Sequence, residues 1–329
     1  MHELVTLAMI REAAGRIRSL ARVTPLLETD GGPSAARPLW LKCENLQRSG
    51  AFKIRGAANM LMQLPDADRT RGVVTYSSGN HGLALALAAR TIGCPAVIVM
   101  PAAAPAVKVN GARRMGAEIV FEGTTTTQRK ARAEAEAAAR GLTIVPPFDH
   151  PMVIAGQGTI ALELLDQCPN VAAVVVPTSG GGLISGVAAV LKHLNPSIRV
   201  VGVEPSVTPR MTRSLEAGTP ITVAAGHSIA DGLLAVRPGD LTLAHILAYV
   251  DEVVTVDDDA IAGQVRWLFE TAHLVVEPSG AASTAAVRTN APTTWTRDGR
   301  TFRDIDGPVV AVVSGGNVEA GAYARYIGG

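Results

Sequence analysis

Cysteine is scarce in this 329-residue chain. The three present, Cys43, Cys94 and Cys168, lie far apart, so they form neither a disulfide framework nor the close spacing of a metal site. An odd, sparse set fits a reducing compartment, and a cytoplasmic location is expected. Net charge is nearly absent as well: 30 Lys and Arg stand against 29 Asp and Glu. That balance gives no bulk attraction to nucleic acid or to an anionic membrane. No apolar run approaches the length of a spanning helix. The first twenty residues are charged and amphipathic, without the apolar core of a signal peptide. Lysine is also short. Only five of the 30 basic residues are lysines, Lys42, Lys53, Lys108, Lys130 and Lys192, which leaves few candidates for amine chemistry.

Apolar residues make up 47% of the chain and charged residues 18%, a globular composition. The length allows one large domain or two modest ones. Apolar, β-branched runs predict strands at 73–76, 95–100, 118–121, 142–145, 171–176, 199–203, 252–256 and 308–313. Several are apolar throughout, as strands covered on both faces are. Alanine-rich stretches between them predict helices at 81–92, 127–140, 155–167, 183–194 and 257–272. This alternation predicts an α/β fold of parallel sheets flanked by helices, in two lobes. Residues 289–306 are polar and aperiodic, and read as a surface loop or short hairpin.

Four segments carry chemistry. In Ser49-Gly50-Ala51-Phe52-Lys53-Ile54-Arg55-Gly56-Ala57 a polar loop opens a helix, with Ser49 as expected N-cap. Lys53 then falls in the first turn, where the macrodipole disfavours its ammonium form and helps the amine act as a nucleophile. For an isolated lysine the ordinary alternative is a solvated side chain. Tyr76-Ser77-Ser78-Gly79-Asn80-His81-Gly82 links a strand to a helix, an anion-binding turn or simply a capped βα turn. Pro177-Thr178-Ser179-Gly180-Gly181-Gly182-Leu183 does the same with three glycines, so that backbone N–H groups can converge on a phosphate. It matches neither a Walker loop nor a dinucleotide fingerprint. Val313-Ser314-Gly315-Gly316-Asn317 ends the last strand, at the carboxyl edge where α/β ligands collect; a helix N-cap is the bland alternative for Ser314.

Together, and in this order, the four segments resemble the serine/threonine dehydratase and serine racemase family of fold type II pyridoxal-phosphate enzymes. The resemblance runs from Val23 to Val318. Val203-Glu204-Pro205, Ala230-Asp231-Gly232 and Val276-Glu277-Pro278-Ser279-Gly280-Ala281 also look like family segments. The resemblance implies a large cofactor-binding domain (1–71 and 150–329), a small mobile domain (72–149) and a homodimer. It implies that Lys53 forms the Schiff base with pyridoxal 5′-phosphate and then takes the substrate's α-proton. Phe52 would lie beside the ring, Asn80 would bond its 3′-oxygen, and Ser314 would meet its nitrogen. Ser179, Gly180, Gly181 and Gly182 would hold the phosphate. Ser77, Ser78, Asn80 and His81 would close on the substrate carboxylate, and Ser78 could supply a second base. The implied activity is an L-threonine/L-serine ammonia-lyase giving a 2-oxo acid and ammonia. A serine racemase, a dehydratase of a specialised β-hydroxy amino acid and a non-catalytic cofactor-binding protein are the alternatives.

Two departures stand out. Ser179 replaces the first of four glycines usual in the family's phosphate loop. Arg210 stands six positions after Glu204, where metal-dependent members carry an acid, and a cation there opposes a divalent ion. No metal is therefore expected. Only eleven residues follow Val318, so a short form without a feedback domain is expected.

Overall fold

The protein, represented by a computed structural model, is described for residues 3–328 apart from Ser78, Pro105 and the side chain of Val107. Its strands are β1 (Leu26–Ser34), β2 (Arg37–Cys43), β3 (Val73–Tyr76), β4 (Ala96–Met100), β5 (Glu118–Phe121), β6 (Thr143–Ile144), β7 (Ala173–Pro177), β8 (Arg199–Pro205), β9 (Glu252–Val256), β10 (Thr293–Thr296) and β11 (Val309–Val313). They form a seven-stranded sheet in the order β1-β2-β11-β7-β8-β9-β10 and a four-stranded sheet in the order β5-β4-β3-β6. The four-stranded sheet is parallel throughout. In the larger sheet only β1 and β10, at the two edges, run antiparallel to their neighbours.

β7, β8, β9 and β11 are buried along their whole length, and their side chains alternate between two cores. Val174, Val176, Val310 and Val312 face Ile10, Ile154 and Ile184 of the helices Leu7–Arg16, Pro151–Gln167 and Gly182–Leu194. Val175, Val309, Ala311 and Val313 face Ile261, Ala282 and Tyr323 of the helices Asp258–Glu270, Pro278–Arg288 and Ala320–Ile327. Each such valine, fully buried, adds about 1.5–3 kcal/mol of transfer free energy, which fixes the register of the central strands against slippage.

Residues 289–306 do more than loop over the surface. Thr293–Thr296 pairs antiparallel with β9 and closes that edge of the sheet. The expected cap at Ser49 is also not formed. The helix Lys53–Leu61 starts without any side-chain cap, and the Ser49 hydroxyl donates to the carbonyl of Ala51 at 3.1 Å.

Behind that helix lies a buried charge network. The Arg55 guanidinium, 1% exposed, pairs with Glu44 at 2.7 Å and Glu163 at 2.6 Å. Lys42 pairs with Glu163 at 2.7 Å. Two cations and two carboxylates thus balance inside the fold and tie the start of the Lys53–Leu61 helix to the end of β2 and to the helix Pro151–Gln167. Among the described residues, no helix is long and apolar enough to cross a membrane.

Candidate active site

The strand order gathers three of the four segments. β2, β11 and β7 are parallel neighbours, so the loops after their carboxyl ends open at one edge of the sheet, the usual ligand position in α/β folds. Those loops carry residues 44–53, 314–317 and 178–182. Backbone bonds lock the first two together. Ala51 bridges Gly315, Phe52 N–H donates to the Ser314 carbonyl at 3.1 Å, and Gly316 N–H donates to the Gly50 carbonyl at 2.8 Å. Gly50 has φ +75°, and a Cβ there would lie 2.2 Å from Asn317 Oδ1.

Lys53 is the first residue of its helix, and its Nζ donates to the carbonyl of Pro147 at 2.7 Å. Phe52 sits beside it, with Nζ 5.0 Å from the ring centroid. Burial without an opposing carboxylate lowers the amine to about 8. Of the other four lysines, Lys42 is tied to Thr24, Glu163 and Gln167, and Lys108 is paired with Asp231 at 2.9 Å.

The fourth segment comes from the other sheet. β3 ends at Tyr76, and the helix Asn80–Ile92 begins four residues later. The Asn80 amide is gripped at both ends: its Nδ2 donates to Glu277 Oε1 at 2.5 Å, and its Oδ1 accepts from Asn317 Nδ2 at 2.8 Å. Asn317 Nδ2 also donates to the Ser49 carbonyl at 2.8 Å. One amide chain therefore joins the two sheets at the opening. Ser77 Oγ accepts from Gly79 N–H within the turn. Ser78 lies outside the described residues. The His81 ring is buried, with Nε2 3.0 Å from the Val145 carbonyl. Burial, with the charge of Lys53, holds it down to about 3, so it is neutral at ordinary pH. Its Nδ1 is buried with no hydrogen-bond partner among the described residues.

Glu277 has no role in the sequence-based expectations, although its segment does. It is buried beside Asn80 and Gly315. Burial and the nearby Asp231 push its carboxyl up to about 8, against the opposing bond from Asn80 and charge of Lys108. An acid before Pro278 reads in sequence as an ordinary helix start, so nothing local distinguishes it.

The glycine segment fits a phosphate. Among the described residues, no acceptor takes the N–H groups of Ser179, Gly180, Gly181 or Gly182. Gly181, at φ +99°, precedes the helix Gly182–Leu194. A Cβ on Gly180 would lie 2.4 Å from the Phe148 ring, and one on Gly182 would lie 3.0 Å from Phe148. Glycine is thus required sterically, and a row of free amides at a helix start suits a phosphate dianion. Ser314, 5% exposed, sits at the end of β11, where its hydroxyl is 3.5 Å from the Ser279 carbonyl. No helix follows it directly, so it is not an N-cap.

Arg210 is fully buried. Its guanidinium donates to carbonyls of Ser179 (3.0 Å), Thr208 (2.8 Å) and Thr178, and stands 3.8 Å from Glu204. A fixed organic cation therefore fills the space beside Glu204. Among the described residues, no group of three His, Cys, Asp or Glu could hold a metal ion.

The chain is 40% identical to an L-threonine ammonia-lyase of Thermotoga maritima over 98% of this chain and 78% of that one. It is 41% identical to a serine racemase of Oryza sativa subsp. indica over 95% of this chain and 91% of that one. Maize serine racemase has the same fold, with a TM-score of 0.91 at 38% identity over 98% of this chain and 97% of that one. Residues 17–317 match the family described as pyridoxal-phosphate dependent enzyme. With the whole site inside that match, the chain belongs to the pyridoxal-phosphate dependent enzymes of fold type II and depends on that cofactor.

Proposed function

We propose that this enzyme is an ammonia-lyase for L-threonine and L-serine, releasing 2-oxobutanoate or pyruvate together with ammonia. The observation that carries the reading is the buried Lys53 amine, lowered to about 8, where the four loops meet. When bound, the cofactor supplies a carbonyl that captures the substrate amine and a ring that withdraws electron density from its α-carbon.

The protein's own residues do the rest. Lys53 anchors the cofactor and, once freed, its Nζ takes the proton from the substrate's α-carbon. An amine lowered to about 8 is partly neutral near neutral pH, and so competent as a base. The N–H groups of residues 179–182 hold the phosphate. Asn80, aligned by Glu277 and Asn317, would offer its amide to the 3′-oxygen, and Phe52 would pack beside the ring. Ser314 would meet the ring nitrogen with a neutral hydroxyl, which would place no negative charge there to hold a proton. The turn at Ser77, Ser78 and Asn80 receives the substrate carboxylate at the start of the Asn80–Ile92 helix. Neutral His81 would anchor the start of that helix through its bond to the Val145 carbonyl. Residues 72–149 act as the small domain. They contain the whole four-stranded sheet, and the chain passes into and out of them once.

Serine racemase is the second reading, supported by the 41% identity to the rice protein over nearly its full length. Ser78 would be the second base. Incubation with a panel of β-hydroxy amino acids, with 2-oxo acid assay and chiral chromatography of the remaining substrate, separates the two. Keto acid from threonine and serine without D-serine supports the lyase. D-serine outpacing pyruvate replaces it with the racemase. Turnover confined to another panel member assigns a specialised substrate.

A further inference from the structure

Arg210 is an expensive residue where it stands. It is the first residue of the helix Arg210–Ala217, where a cation opposes the macrodipole. It is also wholly buried, at a desolvation cost that one carboxylate 3.8 Å away does little to offset. Glu204 is meanwhile well satisfied without it, since its oxygens accept from Met211 N–H, Thr212 N–H and the Thr212 hydroxyl. Partnering Glu204 therefore does not account for the arginine.

Its hydrogen bonds do. Nε donates to the Ser179 carbonyl at 3.0 Å, Nη2 to the Thr178 carbonyl, and Nη1 to the Thr208 carbonyl and hydroxyl at 2.8 and 3.2 Å. The C=O and N–H of one trans peptide point in opposite directions, and the described chain has no cis peptide. Holding the Thr178 and Ser179 carbonyls toward the guanidinium turns the N–H groups of Ser179 and Gly180 away from it. The next peptide is fixed similarly: the Gly180 carbonyl accepts from Thr242 Oγ1 at 2.6 Å and from Gly239 N–H at 3.2 Å, which turns out the N–H of Gly181. Three successive amides are thereby turned away from the groups that hold their carbonyls, and these are among the amides with no acceptor of their own among the described residues.

We infer that Arg210 is a positioning residue of the cofactor site: a buried cation that grips the carbonyl face of the glycine loop and presents its amide face to the phosphate. This rests on the reading that residues 179–182 hold that phosphate. Without Arg210 only the Gly180 carbonyl would stay held, by Thr242 and Gly239, and the peptides ahead of it could rotate, since glycine favours no single φ. An unclamped loop would incur an ordering cost each time the phosphate binds, which lowers affinity without removing any contact to the ligand.

The test uses the holoenzyme and the variants Arg210→Met, Arg210→Lys and Gly181→Ala. Dissociation constants for pyridoxal phosphate and for pyridoxal, which lacks the phosphate, are measured by equilibrium dialysis, and the bound phosphate is observed by 31P resonance. Arg210→Met should weaken pyridoxal phosphate roughly 10- to 100-fold, the order of the cost of fixing one or two freed residues on binding. Pyridoxal should be nearly unaffected and the 31P signal should move. Arg210→Lys keeps the charge but cannot reach both carbonyls, and should fall between; it also serves should the methionine variant not fold. A general loss of structure would weaken both ligands alike, and that result would overturn the inference. So would an unchanged affinity ratio in both Arg210 variants while Gly181→Ala lowers it. If Gly181→Ala also leaves the ratio at the wild-type value, the loop does not hold the phosphate, and that reading falls first.

Discussion

Arg55→Met should destabilise the fold by an amount set by charge, and a second substitution should restore it. Arg55 is 1% exposed and Glu44 is fully buried. Burial alone would raise the Glu44 carboxyl; the charge and bonds of Arg55, helped by Thr24 and Lys42, instead hold it below the ordinary carboxylate range. Removing the guanidinium leaves Glu44 with the Thr24 hydroxyl at 2.6 Å, while Glu163 keeps Lys42. Breaking one side of a buried pair costs roughly 3–5 kcal/mol, a fall in thermal midpoint on the order of 5–10 °C for a chain of this size. Arg55→Met with Glu44→Leu removes one charge of each sign, leaves the Lys42–Glu163 pair intact, and should recover most of that loss. The sign of the pH dependence follows. In the wild type, the contribution of Glu44 is present above the ordinary carboxylate range and lost as pH falls through its lowered folded value. In Arg55→Met the carboxyl is raised, so the deficit relative to wild type should shrink from pH 8 to pH 5. Urea and thermal denaturation of the three proteins at both pH values measure this. A double variant no more stable than the single one would mean that the arginine acts through packing and not through charge.

Borohydride reduction followed by peptide mapping should find the cofactor on Lys53, and Lys53→Ala should lose both the adduct and turnover; label on Lys42 or Lys108 would refute the assignment. In cofactor-free protein, burial lowers Lys53 to about 8, below its ordinary value. The unfolded chain therefore holds more protons above that pH, and stability should rise between pH 8 and 10. Lys53→Met should flatten that rise, as read by thermal denaturation. Chelator should leave activity intact, because Arg210 occupies the space beside Glu204; strong loss restored by magnesium would contradict this. Ser314→Asp should raise the proton affinity of the ring nitrogen and increase pyridoxamine phosphate formation relative to keto acid. Ser314→Ala should weaken cofactor binding by about 1 kcal/mol, and an unchanged product ratio in Ser314→Asp would place the hydroxyl away from the ring.

The legible parts of the sequence are those whose burial is simple. β7 and β11 are buried on both faces and read as unbroken apolar runs. β1 contains Gly31, Gly32 and Pro33 and is partly exposed along its length, so its sequence LLETDGGPS carries no clear strand pattern. β10 is four residues held at an edge by pairing with β9. The helix Pro278–Arg288 escapes for a different reason: nearly every residue is buried, leaving no amphipathic stripe to detect. Ser49 reads as a cap because the local pattern allows one, but tertiary bonds from Ala51 and Phe52 to the 314–315 segment fix the chain just ahead of Lys53. In the site, each βα loop is visible alone. The amide chain through Asn80 is not, because its bonds to Glu277 and Asn317 span 197 and 237 residues.

During synthesis β11 is the last described strand made, yet it lies between β2 and β7, which precede it by more than a hundred residues. Until it emerges, the two flanking strands have no common partner, and their inner edges stay open to pairing with other chains. The segment bearing Lys53 also lacks the residue 314–316 backbone that fixes it. The four-stranded sheet, drawn from one continuous stretch, has no such delay. Assembly should therefore be slow and late for the large sheet, as contacts of high sequence separation require, with the cofactor site appearing only at the final step. A nascent chain stalled before residue 309 should hold a protease-resistant 73–144 region but bind no cofactor.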